Sequence, residues 1–404
     1  MKTRYGVSPW VHGARTARSA STGALRTDVE TDVAVLGGGV TSAAVALLCA
    51  TSGLRVTVLD EQRAADAASS RGAGLLHPAP GASFSRLRGA HGLRTARTMG
   101  EAWRQASRDA ARLLRQHSIR CGLEALDLLV VGADENLTAR ESTGRRAAGL
   151  EATWLRGAPL DRVLRWPRAR GAMRLRDAFA LDPYRAGMGL AAAARRHGAR
   201  QFEQVEVRRI ATGRQGVEVV TRAGVRVRAG TVVVATAGPT SLFAPLRRHF
   251  QACERYHVLT APVSAPVRRA LPAAGVAVGD LTSGIRRLRW AGRQVLVAGG
   301  EQAATTSARK EATLTQRTGQ LMYELLTAWP GIIGLQPEFG WDAPYHDTAD
   351  GIGYVGAHRN YPRHLFALGG ADESLTGAFL AARIVWRALT GRPDKSDAAF
   401  GFGR

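Results

Sequence analysis

DVAVLGGGVTSAAVALLCATSGLRVTVLD, residues 32–60, is the stretch that decides the fold. Asp32 to Leu36 is a short β-branched run, and Gly37, Gly38 and Gly39 follow at once. An apolar helical pattern runs from Val40 to Ala50, Gly53 ends it, and Arg55 to Leu59 is a second strand closing on Asp60, 21 residues beyond Gly39. Strand, glycine turn, helix and strand in this order predict a dinucleotide-binding unit. Gly37 allows the tight turn and Gly39 a close backbone approach to a pyrophosphate. The helix that starts at Val40 and continues through Thr41 and Ser42 aims free N–H groups at that anion. Asp60, followed by Glu61, stands where a carboxylate accepts hydrogen bonds from an adenosine ribose. Ser42 replaces the third glycine of the G-x-G-x-x-G pattern; it is small enough for close helix packing but adds a hydroxyl.

A chain of 404 residues with 45% apolar content can bury a large core in two lobes. Its formal charge of +23 suggests nucleic acid or an anionic surface, yet all but three of the 56 Lys and Arg residues are arginines, spread along the whole chain. No recognition module accompanies the charge, so nucleic acid is not the expected partner. Cys49, Cys121 and Cys253 are odd in number and far apart, without metal-ligand spacing. They argue against a disulfide framework and a zinc site, and for a reducing, cytoplasmic setting. No apolar run is long enough for a transmembrane segment. The first 27 residues lack an apolar signal-peptide core, and Pro9 with Trp10 suggests a segment that docks on the body.

Ala64 to Ser85 is rich in glycine and small residues and reads as a functional loop. Helices are predicted over His91–Gln116, Thr138–Gly149, from Asp182 and Pro183 to Gly198, over Thr315–Trp329 and over Thr376–Leu389. Strands are predicted in FEQVEVRRI, GVEVVT, VRVRAGTVVVAT, HVLTAPV, GIRRLRW, RQVLVAGG and His364–Leu368, with Val232 to Val234 fully buried.

Seven motifs in order resemble the FAD-dependent D-amino-acid-oxidase-type (DAO) superfamily, which includes glycine oxidases, D-amino-acid dehydrogenases and glutamylputrescine oxidases. They are DVAVLGGGVTSAAVA, ASSRGAGLL, DPYRAGMGLAAAARRHGA with FEQVEV, VVVATAGPT, GRQVLVAGGE, FGWDAPYHDTADGIGYVG, and HLFALGG with SLTGAFLAARIVWRALTGRP. The YGVSPW start, the RTGQLMYEL helix and the FGFGR tail resemble a bacterial branch of it. The resemblance implies an α/β protein with an α+β second domain. A Rossmann-like FAD-binding domain (1–90, 178–245 and 346–404) would be interleaved with a strand-rich substrate domain (91–177 and 246–345). It implies that Ser69, Ser70 and Arg71 lie against pyrophosphate and flavin, with Ala73, Gly74 and Leu75 near the ring edge. Val207 would hold the adenine by its backbone, Ala235 and Gly238 would lie under the cofactor, and Gly369, Gly370, Ser374, Leu375 and Thr376 would form the C-terminal flavin loop. No cysteine stands in the C-terminal segment where covalently flavinylated relatives carry one, so FAD is expected to be non-covalent.

This chain departs from the pattern at Ala237, where glycine is frequent, at the missing proline after Ile352, and at Asp372 and Glu373, whose charges would disfavour a reduced anionic flavin. The implied reaction is hydride transfer from an amine-bearing carbon to flavin N5, giving an imine. It needs orientation more than a general base. Arg287 and Arg289, two apart on one strand, are candidates for binding a substrate carboxylate, or else solvent-facing charges. Tyr256 aligns with a site-facing aromatic of relatives, or is a core residue with His257 on the opposite side. His77 follows the flavin loop and touches substrate or caps a turn; His346 lies near the flavin in a catalytic or structural role. The expected partner is a small amine or amino acid, with the electron acceptor open. The rival readings are a non-catalytic or regulatory flavoprotein or partner subunit with an altered 372–374 loop, and action on a modified nucleoside in RNA.

Overall fold

The computed structural model describes residues 2–14, 23–63, 67–132, 134–166, 168–280, 285–370 and 375–404. Asp372, Glu373 and Ser374 of the expected flavin loop lie outside them. The described residues form helices and two large sheets, one mainly parallel and one mainly antiparallel, in keeping with the expected α/β class.

The first sheet runs in the order Tyr354–His358, Tyr361–Leu368, Arg226–Ala237, Val29–Leu36, Val56–Leu59 and Arg200–Phe202. Every neighbouring pair is parallel except the first. Val33, Val35, Val56 and Val58 face helices Val40–Thr51, Pro183–Arg196 and Leu375–Leu389, in one apolar cluster with Ala44, Leu47, Leu190, Ile384 and Val385. Ala34, Leu36, Val232 and Val234 face the other way, towards Val217, Phe243 and Phe366. Helices on one face and a β-layer on the other explain why these strands are apolar without alternation.

The second sheet has the order Arg4–Tyr5, Pro337–Asp347, Gln251–Thr260, Gln294–Ala303, Ile285–Ala291, Val276–Asp280, Glu124–Val131, Gly171–Ala180 and Leu75–Leu76, with Thr153–Arg156 also on Gly171–Ala180. Helix Lys310–Ala328 covers one face, packing Leu314, Leu321 and Leu325 against Tyr256, Val258, Val295 and Val297. The opposite face carries Leu259, Leu296, Ala298, Phe339 and Trp341, against Ala73 and Trp10.

Several boundaries differ from the sequence expectation. The helix expected from His91 begins at Phe84, because Ser83 caps it and Gly92, at φ 77°, kinks it and interrupts the periodicity. The glycine-rich loop contains a 3-10 turn at Ala68–Arg71 and the strand Leu75–Leu76. FEQVEVRRI divides into Arg200–Phe202 and Val207–Thr212. The Trp10 segment docks as expected: its indole donates to Gly72 O at 3.1 Å, and Ser8 Oγ to Ser70 O at 3.2 Å. Among the described residues no helix is long and apolar enough to cross a membrane.

Candidate cofactor cleft

Strand Val29–Leu36 ends at Gly37, whose φ of 110° is closed to side chains and where a Cβ would lie 2.5 Å from Ala235 O. Gly38 is held as tightly: its Cβ would meet the Asp60 carboxylate at 1.7 Å, so Asp60 is turned towards the glycine turn. Asp60 is buried and accepts the Gln62 N–H at 3.2 Å, while Glu61 points to solvent. Val205 N donates to the Asp60 backbone carbonyl at 2.8 Å, which ties the chain leading into strand Val207–Thr212 to the residue that follows strand Val56–Leu59. Gly39 is the helix N-cap, with Ser69 Oγ 3.2 Å from where its Cβ would stand. The Val40 amide donates to that same Ser69 Oγ at 3.1 Å. Ser42, the departure from the glycine pattern, uses its hydroxyl to donate to Ala235 O at 3.4 Å, tying the helix to the neighbouring strand.

In front of this helix start lies a cleft of about 920 Å³, open to solvent. Thr41, Ala68 and Ser69 line one side, and Ala237, Gly351, Ile352, Gly353, Gly369, Gly370 and Leu375 line the next. Pro344, Tyr345 and His346 of the second sheet form another wall, with Trp103 and Ala378 from two helices. The wall is laced by backbone: Gly369 N donates to Ala237 O and Gly370 N to His346 O, each at 2.8 Å. The His346 ring presses on Gly238, where a Cβ would lie 2.4 Å from three ring atoms. Burial holds this imidazole below the ordinary histidine pKa, so it is neutral at neutral pH, and its Nδ1 is buried with no hydrogen-bond partner among the described residues.

Other expected site residues serve the frame. Arg71 does not face the cleft with Ser69: its Nε donates to Asp342 O and its Nη2 to Asp342 Oδ1, both at 2.7 Å, because buried Asp342 requires a cation. Ser70 is buried and its carbonyl receives Ser8. Thr376 is fully buried, accepting from His77 N at 2.9 Å and donating to His77 O at 3.0 Å, so it secures the chain after Leu76. His77 is buried too, with Nδ1 against Ala79 O and its ring stacked on Trp103 at 6.5 Å.

The candidate substrate residues are dispersed in the same way. Arg289 donates to Ala73 O at 2.7 Å, Leu181 O at 3.0 Å and Trp290 O at 3.0 Å. Burial lowers its guanidinium to about 10, leaving it charged at neutral pH. It clamps the Ala73–Gly74 backbone, where Gly74 takes φ 64°, and Leu75 is buried behind it. Arg287 lines a smaller recess with His77, Glu141 and Arg145. Tyr256 does not face the cleft: it packs in the cluster under helix Lys310–Ala328, its hydroxyl donating to Glu254 Oε2 at 2.9 Å. His257, on the opposite face, stacks on Trp341 at 5.1 Å.

Beside His346, the aromatic residue that reaches the cleft from this sheet is Tyr345, opposite Cys253 in register. Arg255 lies over its ring at 5.1 Å and bonds Glu301 at 2.8 Å. Burial pushes the Tyr345 phenol up, so it stays protonated. Strand alternation from Cys253 to Arg255 was the available signal for this face. Arg404 was also missed: its buried guanidinium reaches Asp350 at 2.8 Å and Gly353 O at 3.1 Å, and stacks over Tyr354 at 3.9 Å, bracing the loop beside the cleft.

The turn that a Cβ would fill, the helix start and the adjoining small-residue walls suit the diphosphate and ring system of FAD. The chain is 23% identical over 384 residues to the Escherichia coli (strain K12) gamma-glutamylputrescine oxidoreductase, covering 93% of this chain and 87% of that protein. In fold it is similar to the Proteus myxofaciens L-amino acid deaminase in complex with anthranilate, with a TM-score of 0.77, 16% identity and 96% of each chain covered. The Geobacillus kaustophilus glycine oxidase gives a TM-score of 0.74 at 22% identity, over 93% of this chain and 99% of that one. The family description "FAD dependent oxidoreductase" (DAO) matches residues 32–387, a span that begins within strand Val29–Leu36 and takes in every later strand of both sheets. This chain therefore belongs to the DAO family of FAD-dependent oxidoreductases.

Proposed function

We propose that the protein oxidises the C–N bond of a small amine or amino acid, leaving an imine that water hydrolyses. FAD, when bound, supplies the hydride acceptor. The residues around it orient the substrate and set its protonation. Hydride loss requires the amine in its neutral form, and His346 supplies an acceptor for the ammonium proton. The observation that carries this role is its buried, neutral imidazole at the cleft wall, with Nδ1 unpartnered among the described residues. Tyr345 and Trp103 offer aromatic surface beside it. Arg289 is committed to three carbonyls, and Arg287, which lines the smaller recess with His77, is the candidate for a substrate carboxylate. The similarity to the gamma-glutamylputrescine oxidoreductase favours an amine-bearing substrate.

The test is anaerobic mixing of FAD-loaded protein with a panel of amines and amino acids while the visible flavin band is followed. Bleaching by at least one compound is expected, and His346→Ala should lower the bleaching rate mainly below neutral pH, where more of the free amine is protonated. A band that no amine or amino acid bleaches, although dithionite does, would overturn the reading.

A further inference from the structure

A second cavity lies on the far face of the antiparallel sheet. It is a pocket open to solvent, about 690 Å³ with its mouth included, between helix Lys310–Ala328 and strands Val276–Asp280 and Ile285–Ala291. Its apolar surface comes from Leu288 and Ile285 on the strands and from Trp166, Trp329 and Tyr323 around them. The two indoles are 5.5 Å apart and inclined by 38°, and Trp329 is fixed by donating to Leu164 O at 3.3 Å. None of these residues lines the cofactor cleft.

Two polar atoms in this aromatic setting are unsatisfied. Glu324, which also lines the cavity, accepts from Gln320 Nε2 at 3.0 Å through Oε1, but its Oε2 is buried and has no partner among the described residues. The Trp166 indole N–H is buried without a partner among the described residues as well. Glu324 is half-buried, so its carboxylate stays partly solvated on the Oε1 side, while Oε2 is left without a donor that would compensate its burial. Arg168 at the rim is exposed, so water screens it, whereas the Glu324 oxygen is out of water.

We propose that this cavity binds a small apolar primary ammonium compound. Its N–H groups would donate to Glu324 Oε2, the aromatic faces would receive the cation, and the alkyl part would lie on Leu288 and Ile285. The charge of the ligand, not its shape alone, is what the site recognises. The inference is independent of the reaction proposed for the cleft.

The probe is tert-butylammonium, whose amine-bearing carbon carries no hydrogen for the cleft to remove, titrated calorimetrically into FAD-loaded protein, with tert-butanol as the uncharged comparison. Binding about tenfold tighter for the ammonium is expected, with the visible flavin spectrum unchanged because the ligand is remote from the cofactor. Glu324→Gln, checked for unchanged flavin content, should weaken ammonium binding by about tenfold and leave tert-butanol as it was. Trp166→Phe keeps the apolar wall and should retain the preference for the cation over the alcohol. Equal affinity for the two probes, undiminished ammonium binding in Glu324→Gln, or a flavin spectral shift that tracks the isotherm would each overturn the proposal. The flavin bleaching assay with amines tests the cleft separately, so failure at one site is distinguishable from failure at the other.

Discussion

The parallel sheet and the antiparallel sheet meet at the cofactor cleft, and they build their sides of it by opposite means. The parallel sheet presents backbone: Gly37, Gly38, Gly238, Gly369 and Gly370 stand where a Cβ would collide with a neighbour or where φ is positive, and a Cβ on Gly39 would crowd Ser69 Oγ. The antiparallel sheet presents side chains, Tyr345 and His346, with Arg255 and Glu301 behind them. A wall made of amides and missing side chains can hold a diphosphate that every family member shares. A wall of side chains can change with the substrate while the cofactor side stays intact.

The largest effect should come from breaking the backbone wall. Gly37→Ala places a Cβ 2.5 Å from Ala235 O at φ 110°, costing several kcal/mol, so FAD affinity should fall by about a hundredfold or more. Tyr345→Phe keeps the ring and should leave FAD affinity within about threefold of the starting protein. Fluorescence titration of apoprotein with FAD reads both. A Tyr345→Phe protein that loses FAD while Gly37→Ala keeps it would end the distinction between the two walls.

Next is Arg289, which decides whether a buried arginine on the antiparallel sheet serves substrate or frame. Arg289→Leu strands the carbonyls of Ala73 and Leu181 in buried surroundings, which should cost about 3 kcal/mol and lower the melting temperature by roughly 5 °C or more. Thermal unfolding followed by circular dichroism measures it. An unchanged melting temperature with a raised KM would make Arg289 a substrate ligand instead.

Asp350 and Arg404 brace the parallel-sheet side by charge. Burial alone would raise the Asp350 carboxyl, but the Arg404 guanidinium outweighs it and brings the pKa to about 2. Because the folded value lies below the unfolded value of roughly 3.9, this contribution to stability is complete above pH 4 and is lost as pH falls towards 2. Arg404→Ala leaves a part-buried carboxylate held by His91 Nε2 at 2.9 Å, the Thr348 hydroxyl at 3.0 Å and Ile352 N at 2.9 Å, without its guanidinium. It should destabilise the fold by about 2 kcal/mol at neutral pH and remove that part of the acid limb. Urea unfolding at neutral pH and at pH values between 4 and 2 would show both effects; an acid limb identical in the two proteins would contradict the pairing.

How far the sequence could be read follows the same division. The Gly37–Ser42 turn and helix Val40–Thr51 were legible because their requirements are local: a positive φ, a cap, a short β-branched strand on each side. The side-chain wall was not. Tyr256 and Arg255 are neighbours on a strand covered on both faces, by a helix on one and by the cleft region on the other, so alternation separates them without saying which is which. A register shift between Glu254 and Tyr256 against strand Gln294–Ala303 obscures it further. Strand Pro337–Asp347 escaped notice although Phe339, Trp341, Ala343 and Tyr345 alternate along it, because Gly340, Asp342 and Pro344 between them are residues that disfavour strands. Arg71 and Arg289 have the residue type that anion binding requires, but their partners, Asp342 and the Ala73 and Leu181 carbonyls, are remote in sequence.

The smallest expected effect tests whether the backbone wall is truly indifferent to side chains. Ala237 has φ 65° in the turn that lines the cleft, a conformation costing an L-residue about 1–2 kcal/mol, and its carbonyl accepts Gly369 N. Ala237→Gly removes that strain but frees the unfolded chain by about 0.4–1 kcal/mol, so the net gain should lie between about 0 and 1.6 kcal/mol. If the wall acts through backbone alone, FAD affinity should be unchanged while the melting temperature rises slightly. A clear loss of FAD affinity with the fold intact would mean that the Ala237 methyl packs on the cofactor. The strained alanine would then be a contact kept at a cost in stability, and side chains would contribute on both sides of the cleft.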